Sequence, residues 1–293
     1  MKAHFLTFIW FLLVFNGNIA AQGDFIQGEK YLQKGEIEKA EAIFKRNKDK
    51  EKALEYLADI SSFRRDWDDA IAGYKVLVKN HPENAGYNFK LGGAMGLKAF
   101  YGSKFTAAFL LDDIKKYLSR AASLDPGHAQ SRRALVELYM QLPSFLGGDE
   151  ALAGKYQKEL VKINALDGYL AQAFIFAEKE DLQNARASIA EALALASHHP
   201  ELLVRNTMNY ELAEAAVKYK LKPQFTLKLL KEYLQNYGYK DLKAPEWAYL
   251  KMAEVQLYQK NQEKALENVN RALVMEPDFE EAIALKKRLK DMI

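Results

Sequence analysis

The sequence predicts an all-α chain, an α-solenoid of about seven helical hairpins closed by one C-terminal helix. Three observations lead there. Only 7 prolines and 16 glycines occur in 293 residues, few for the many tight turns of an all-β chain. Small residues, an aromatic and a closing proline recur at matching offsets along the sequence, the mark of a repeat architecture. Each such unit is two short helices, too small to bury its own apolar faces, so the units must stack on one another.

The elements follow in chain order. Met1-Lys2-Ala3-His4 gives a positive start, Phe5 to Phe15 is apolar except for Thr7, and Asn16-Gly17-Asn18 leads to the small residues Ala20-Ala21. This is the layout of a cleavable export signal over residues 1–21, with cleavage near Ala21/Gln22. The apolar run is about half of the roughly 20 residues that span a bilayer, so no transmembrane segment is expected once the signal is removed. Residues 22–293 are then one helical-repeat domain.

Its first hairpin carries Gly28, Tyr31, Ala40 and Phe44; the second carries Ala58, Ala70, Tyr74 and Pro82. Gly28 is expected to face Ala40, and Ala58 to face Ala70, because close helix packing needs a small side chain at the crossing. The third unit, Ala85 to Pro126, has Gly92 and Ala121 in these slots and runs about ten residues long. The fourth, Ala129 to Asp167, contains Leu142-Pro143-Ser144-Phe145-Leu146-Gly147-Gly148-Asp149 between its helices. There Pro143 stops one helix, the glycines reverse the chain and Asp149 caps the next helix. The fifth has Ala173, Ala185 and Ala192; the sixth has only approximate equivalents in Thr226, Leu230 and Tyr233; the seventh has Ala253, Ala265, Ala272 and Pro277. Phe279 to Ile293 is a last helix with Phe279, Ala282, Ile283, Leu285, Leu289 and Met292 on one face, and charged residues cover its back.

These residues resemble the tetratricopeptide (TPR) repeat, with its small residue and Tyr in the first helix, then Ala, an aromatic and a closing Pro. The resemblance covers nearly all of residues 22–293. Tyr139-Met140-Gln141-Leu142-Pro143, three residues and Gly147-Gly148 also resemble a YxQxPxxxGG connector of secreted bacterial TPR proteins, with Leu142 in place of the usual Ala. The start before Gln22, without a lipid-anchored cysteine, resembles export signals of Bacteroidetes-type bacteria. The resemblance implies a right-handed superhelix whose first helices line a concave, partner-binding side. The register of the better repeats places Glu55, Asp59, Phe63, Phe89, Leu170, Phe174, Leu250, Glu254 and Tyr258 on that side. Acids mixed with aromatics suit a protein or peptide segment.

Signals for chemistry are weak. There is no cysteine, which excludes a disulfide framework, a thiolate metal site and a cysteine nucleophile. Asp66, Asp68 and Asp69 read as helix-start residues rather than a carboxylate site. His198-His199 precedes Pro200, and neighbouring helical positions point about 100° apart, so the pair does not suggest a metal. Gly92-Gly93-Ala94-Met95-Gly96 has no preceding strand and no following Lys-Ser/Thr, so it is expected to serve close helix packing rather than a phosphate. The 42 basic and 39 acidic residues give a net charge of only +3, against a nucleic-acid partner. Lysines between Lys218 and Lys243, interleaved with Tyr219, Phe225, Tyr233, Tyr237 and Tyr239, read as a solvated face over core aromatics. The expectation is a non-enzymatic scaffold without cofactor or metal. It would be exported to the periplasm or secreted, and would mediate protein–protein interaction in the cell envelope. The alternative is a periplasmic protein that binds a small ligand in the concave groove.

Overall fold

A computed structural model describes residues 25–48, 50–241 and 243–291. The expected signal segment, and Met292 of the last helix, lie outside the described residues. Among the described residues the chain is helical without strands. The helices are α1 (25–33), α2 (Ile37–Arg46), α3 (Glu51–Phe63), α4 (Trp67–Asn80), α5 (Ala85–Tyr101), α6 (Lys104–Leu124), α7 (Ala129–Gln141) and α8 (Glu150–Ile163). They continue as α9 (Ala165–Glu178), α10 (Leu182–His198), α11 (Asn206–Tyr219), α12 (Pro223–Gln235), α13 (Pro245–Tyr258), α14 (Gln262–Met275) and α15 (Glu280–Lys290). No described helix is long and apolar enough to cross a membrane.

The chain divides into two compact units. Unit 1 runs to Tyr117 and includes Gly238–Lys240; unit 2 holds Leu118–Tyr237 and Asp241–Ile293. In unit 1, α2 packs on α3, α3 on α4 and α4 on α5. Its core centres on Phe44, fully buried and stacked on Tyr56 at 4.5 Å between ring centroids, with Leu32, Ile37, Ile43, Ala53 and Ile60 around it. A Cβ on Gly28 would sit 2.7 Å from the Phe44 ring, so the crossing there is glycine against aromatic. At the next crossing Ala58 meets Gly73, where an added Cβ would lie 2.8 Å from the alanine methyl. The small residues Ala40 and Ala70 are fully buried, as the repeat pattern requires. Gly93 and Gly96 meet nothing within 4 Å, so these two do not serve the close packing expected of them.

In unit 2 each helix from α7 to α15 packs on the next; a three-residue 3₁₀ turn, Ser144–Leu146, joins α7 to α8 and another, Pro200–Leu202, joins α10 to α11. Contacts of α7 with α9 and of α11 with α13 put first helices beside first helices, as stacked hairpins must. Ala153, Ala185, Ala192, Ala253, Ala265 and Ala272 are fully buried at the crossings. The irregular sixth hairpin uses Thr226 in the same way. Its hydroxyl, fully buried, donates to the Leu221 carbonyl at 2.9 Å and so carries no unsatisfied polar atom into the core. Each large apolar side chain buried here, such as Leu193 or Leu229, contributes about 1.5–3 kcal/mol. α15 closes the stack with Ala282, Leu285 and Leu289 against Leu250, Ala253 and Val269, while Phe279 meets Trp247 at 4.7 Å. Ile283, expected on the buried face, is exposed.

The α7–α8 connector is a built turn. Gly147 has φ +84°, the Gly148 amide donates to the Pro143 carbonyl at 3.0 Å, and the Asp149 amide donates to Tyr139 at 3.1 Å. Asp149 then accepts from the Leu152 amide at 2.9 Å and caps α8. The rings of Tyr139 and Tyr156 stack across the turn at 6.2 Å. Asp66, also expected to cap with its side chain, occupies the N-cap of α4 without a side-chain bond; only its carbonyl enters the helix.

Candidate functional site

The first helices of unit 1 carry a connected set of acids, tyrosines and lysines. Glu29 on α1 accepts from Lys52 at 2.7 Å and from the Tyr56 hydroxyl, both on α3. These two bonds lower the Glu29 pKa. One hairpin on, Lys90 of α5 donates to Glu55 at 2.5 Å and to both oxygens of Asp59 at 2.8 Å. Tyr74 donates to Asp59 at 2.7 Å, and Tyr87 donates to Glu51 at 2.8 Å. Desolvation nevertheless raises the Asp59 pKa against the pull of Lys90 and Tyr74. Phe63, half-buried, packs on the same core as Tyr56, and Phe89 on α5 is half-buried as well.

In unit 2 the comparable seam is a buried charge network. Asp167 at the start of α9 has no exposed side-chain surface and accepts from Arg205 at 2.6 and 2.7 Å in a two-pronged pair. Burial works against the Arg205 charge, but Asp167 and Glu211 outweigh it and the pKa rises. Arg133 of α7 donates to Glu137 at 2.7 Å and leaves its Nη1 buried without a partner. Desolvation pushes the Glu211 carboxyl up, against Arg133 and Arg205.

The sequence-derived set is only partly brought together. Glu55 and Asp59 share one lysine in unit 1. In unit 2, Glu254 pairs with Lys251 at 3.2 Å, Phe174 packs on Val136 and Leu160, and the Tyr258 hydroxyl is buried without a partner. Leu170 and Leu250 belong to the cores, at 4% and 3% exposure, and present nothing to a partner. Sequence reading missed Lys90, Tyr87, Arg133, Asp167 and Arg205. The signal was available: many bonds between successive hairpins join residues 31–38 positions apart, about one repeat.

Among the described residues no group of three His, Asp or Glu side chains could hold a metal. His198 bonds the Ala194 carbonyl and His199 lies 3.1 Å from Glu201, both exposed. The lysines from Lys218 to Lys243 are all exposed, and Lys218, Lys228, Lys240 and Lys243 each sit over a neighbouring ring. An open depression of about 560 Å³ in unit 2 is lined by Ala151, Gly154, Lys155, Lys158, Glu159 and Lys162, with no aromatic wall.

Two solved structures share this arrangement of hairpins. A tetratricopeptide repeat protein from Parabacteroides merdae superposes with a TM-score of 0.51 at 14% identity, over 92% of this chain and 98% of that one. Yeast Tom70 superposes with a TM-score of 0.54 at 16% identity, over 93% of this chain and 57% of its own. The fold is the tetratricopeptide stack of helical hairpins. Within that fold the acids, tyrosines and arginines described above lie on first helices or at their starts, except Tyr74, which reaches Asp59 from the second helix α4. No protein-family model matches the sequence, and no curated protein matches it.

Proposed function

We propose that this chain is a non-catalytic, exported scaffold that holds a protein or peptide partner in a bacterial envelope. The observation that carries the reading is the polar and aromatic lining of the first helices. Glu55, Asp59 and Lys90 are fixed by short bonds yet keep part of their surface, and Phe63 and Phe89 are half-buried on the same helices. Fixed, partly exposed charges beside half-buried rings suit a peptide segment, which meets a surface that is already ordered. The alternative, a small-ligand receptor, draws less support, because the depression on α8 is open and no large apolar or aromatic side chain lines it. Export is supported by the charge, apolar run and small residues of positions 1–21.

The test has two parts. Mass spectrometry of the chain expressed in a Gram-negative host is expected to show a mature N-terminus at Gln22 in the periplasmic fraction; an intact Met1 in the cytoplasm refutes export. Cross-linking in an envelope extract is expected to trap a discrete partner that Phe63→Ala or Phe89→Ala weakens by about ten-fold. Capture unaffected by changes to these inner residues removes the face from the reading.

A further inference from the structure

Three residues distant in sequence, Gly238–Lys240, belong to unit 1. Tyr239 packs on the core of the first hairpins, beside Tyr31, Tyr56 and Phe63. It is half-buried there, and no helix carries it: it sits in the link between α12 and α13. Desolvation raises the pKa of its phenol, and the charges of Asp59, Glu55 and Glu29 raise it further, so the ring sits among the same acids that mark the candidate face. Lys240 lies over the Tyr239 ring at 5.7 Å, with its own side chain exposed.

The surroundings are acidic. Glu29, Glu51, Glu55 and Asp59 are answered by Lys52 and Lys90, with His81 beside Glu51. A ring settled on tyrosines and phenylalanines gains apolar and aromatic contact, and the exposed Lys240 above it carries the charge opposite to the surplus carboxylates. Both properties are local to the Tyr239-Lys240 pair.

We propose that this face of unit 1 binds a partner segment made of an aromatic residue followed by lysine, and that Tyr239-Lys240 is a built-in occupant that a partner must displace. The inference rests on the scaffold reading and names the partner chemistry for unit 1. A tethered occupant competes at an effective concentration in the millimolar range, so it masks a weak site while leaving a stronger partner able to enter.

The probe is a fluorescein-labelled synthetic peptide copying Leu234–Asp241, titrated by anisotropy with the full chain from Gln22. Wild type is expected to bind it at least about ten-fold more weakly than Tyr239→Ala. Tyr239→Phe, which keeps the ring, is expected to behave as wild type. Lys240→Glu is the second route to opening, in case loss of the ring unfolds the link; circular dichroism at 222 nm checks each variant. A peptide with its second tyrosine changed to alanine, or its lysine to glutamate, should lose the gain, as should Glu55→Gln in the Tyr239→Ala background. Equal peptide binding by wild type, Tyr239→Ala and Lys240→Glu overturns the proposal and leaves Tyr239 as an anchor of the link alone. A peptide gain without any envelope partner upholds this site and sinks the scaffold reading; partner capture without a peptide gain does the reverse.

Discussion

Removal of the Asp167 carboxylate is the sharpest test of what holds unit 2 together. Asp167 is wholly buried, and both its oxygens are held by Arg205 at 2.6 and 2.7 Å. Asp167→Ala leaves a guanidinium with 19% of its side chain exposed and only Glu211, at 3.4 Å, as a charged partner. Breaking one side of a buried pair costs about 3–5 kcal/mol, because the remaining charge stays desolvated. The residual contact to Glu211 and the fifth of Arg205 that reaches solvent place the expectation near the lower figure, about 3 kcal/mol. For a unit of this size that is a fall in melting temperature of roughly 6–12 °C. The assay is thermal unfolding followed at 222 nm, with amide exchange in α9 and α11 to assign the loss to unit 2. The double variant Asp167→Leu, Arg205→Met removes both charges, keeps apolar volume and is expected to recover most of the loss. A single-variant shift under about 2 °C, or a double variant as unstable as the sum of the singles, refutes the argument that the uncompensated charge is the cause.

Two glycine changes should move stability in opposite directions. Gly148→Ala places a Cβ 1.8 Å from the Leu142 carbonyl oxygen, so the turn must open and the Gly148–Pro143 bond is lost; a cost of about 1–3 kcal/mol is expected in urea unfolding. Gly93→Ala lies inside α5 with nothing within 4 Å, and should stabilise by up to about 1 kcal/mol in the same measurement. A pH effect follows from His128, whose Nδ1 accepts from the Ser131 amide at 3.1 Å and caps α7. Burial lowers its pKa below the usual 6.5, against the pull of Asp125. The folded state therefore binds this proton less readily than the unfolded chain, so the cap contributes fully above about pH 6.5 and is lost as pH falls through the folded value. His128→Asn keeps an acceptor without the titration, so its melting temperature should fall less than wild type between pH 7 and pH 5.

The hairpins were legible because their determinants are local. Alanine at a crossing, proline after a helix and aspartate before one act within a few residues, so Ala153, Pro143 and Asp149 show their roles in the linear string. The glycine partners were not, because which small residue meets which depends on helix rotation: Gly73, three residues after Ala70, meets Ala58. The link residue Tyr239 was harder still. It was read as one of several core aromatics near a lysine run, and nothing local says that its core is the one built by Phe44, almost two hundred positions earlier. The Asp167–Arg205 pair lies between these cases, since opposite charges one repeat apart are a searchable pattern once the repeat length is known.

The placement of the candidate residues follows a rule that the repeat register contains but does not display. Glu55, Phe89, Leu170 and Leu250 all stand three residues before the small residue of their first helix, at Ala58, Gly92, Ala173 and Ala253. In unit 1 this position reaches the next first helix, where Glu55 meets Lys90. In unit 2, Leu170 joins the core that holds Leu212 and Ala213 of α11, and Leu250 joins the one that holds Leu285 of α15. The position thus serves the contact between successive hairpins, filled by a charge pair in one unit and by leucine in the other. Four residues on, a full helical turn along the same stripe, stand Asp59, Phe174 and Glu254, none of them wholly buried. A leucine three residues before the small residue is therefore mortar between repeats, whereas an acid or aromatic one residue after it keeps part of its surface outside that contact.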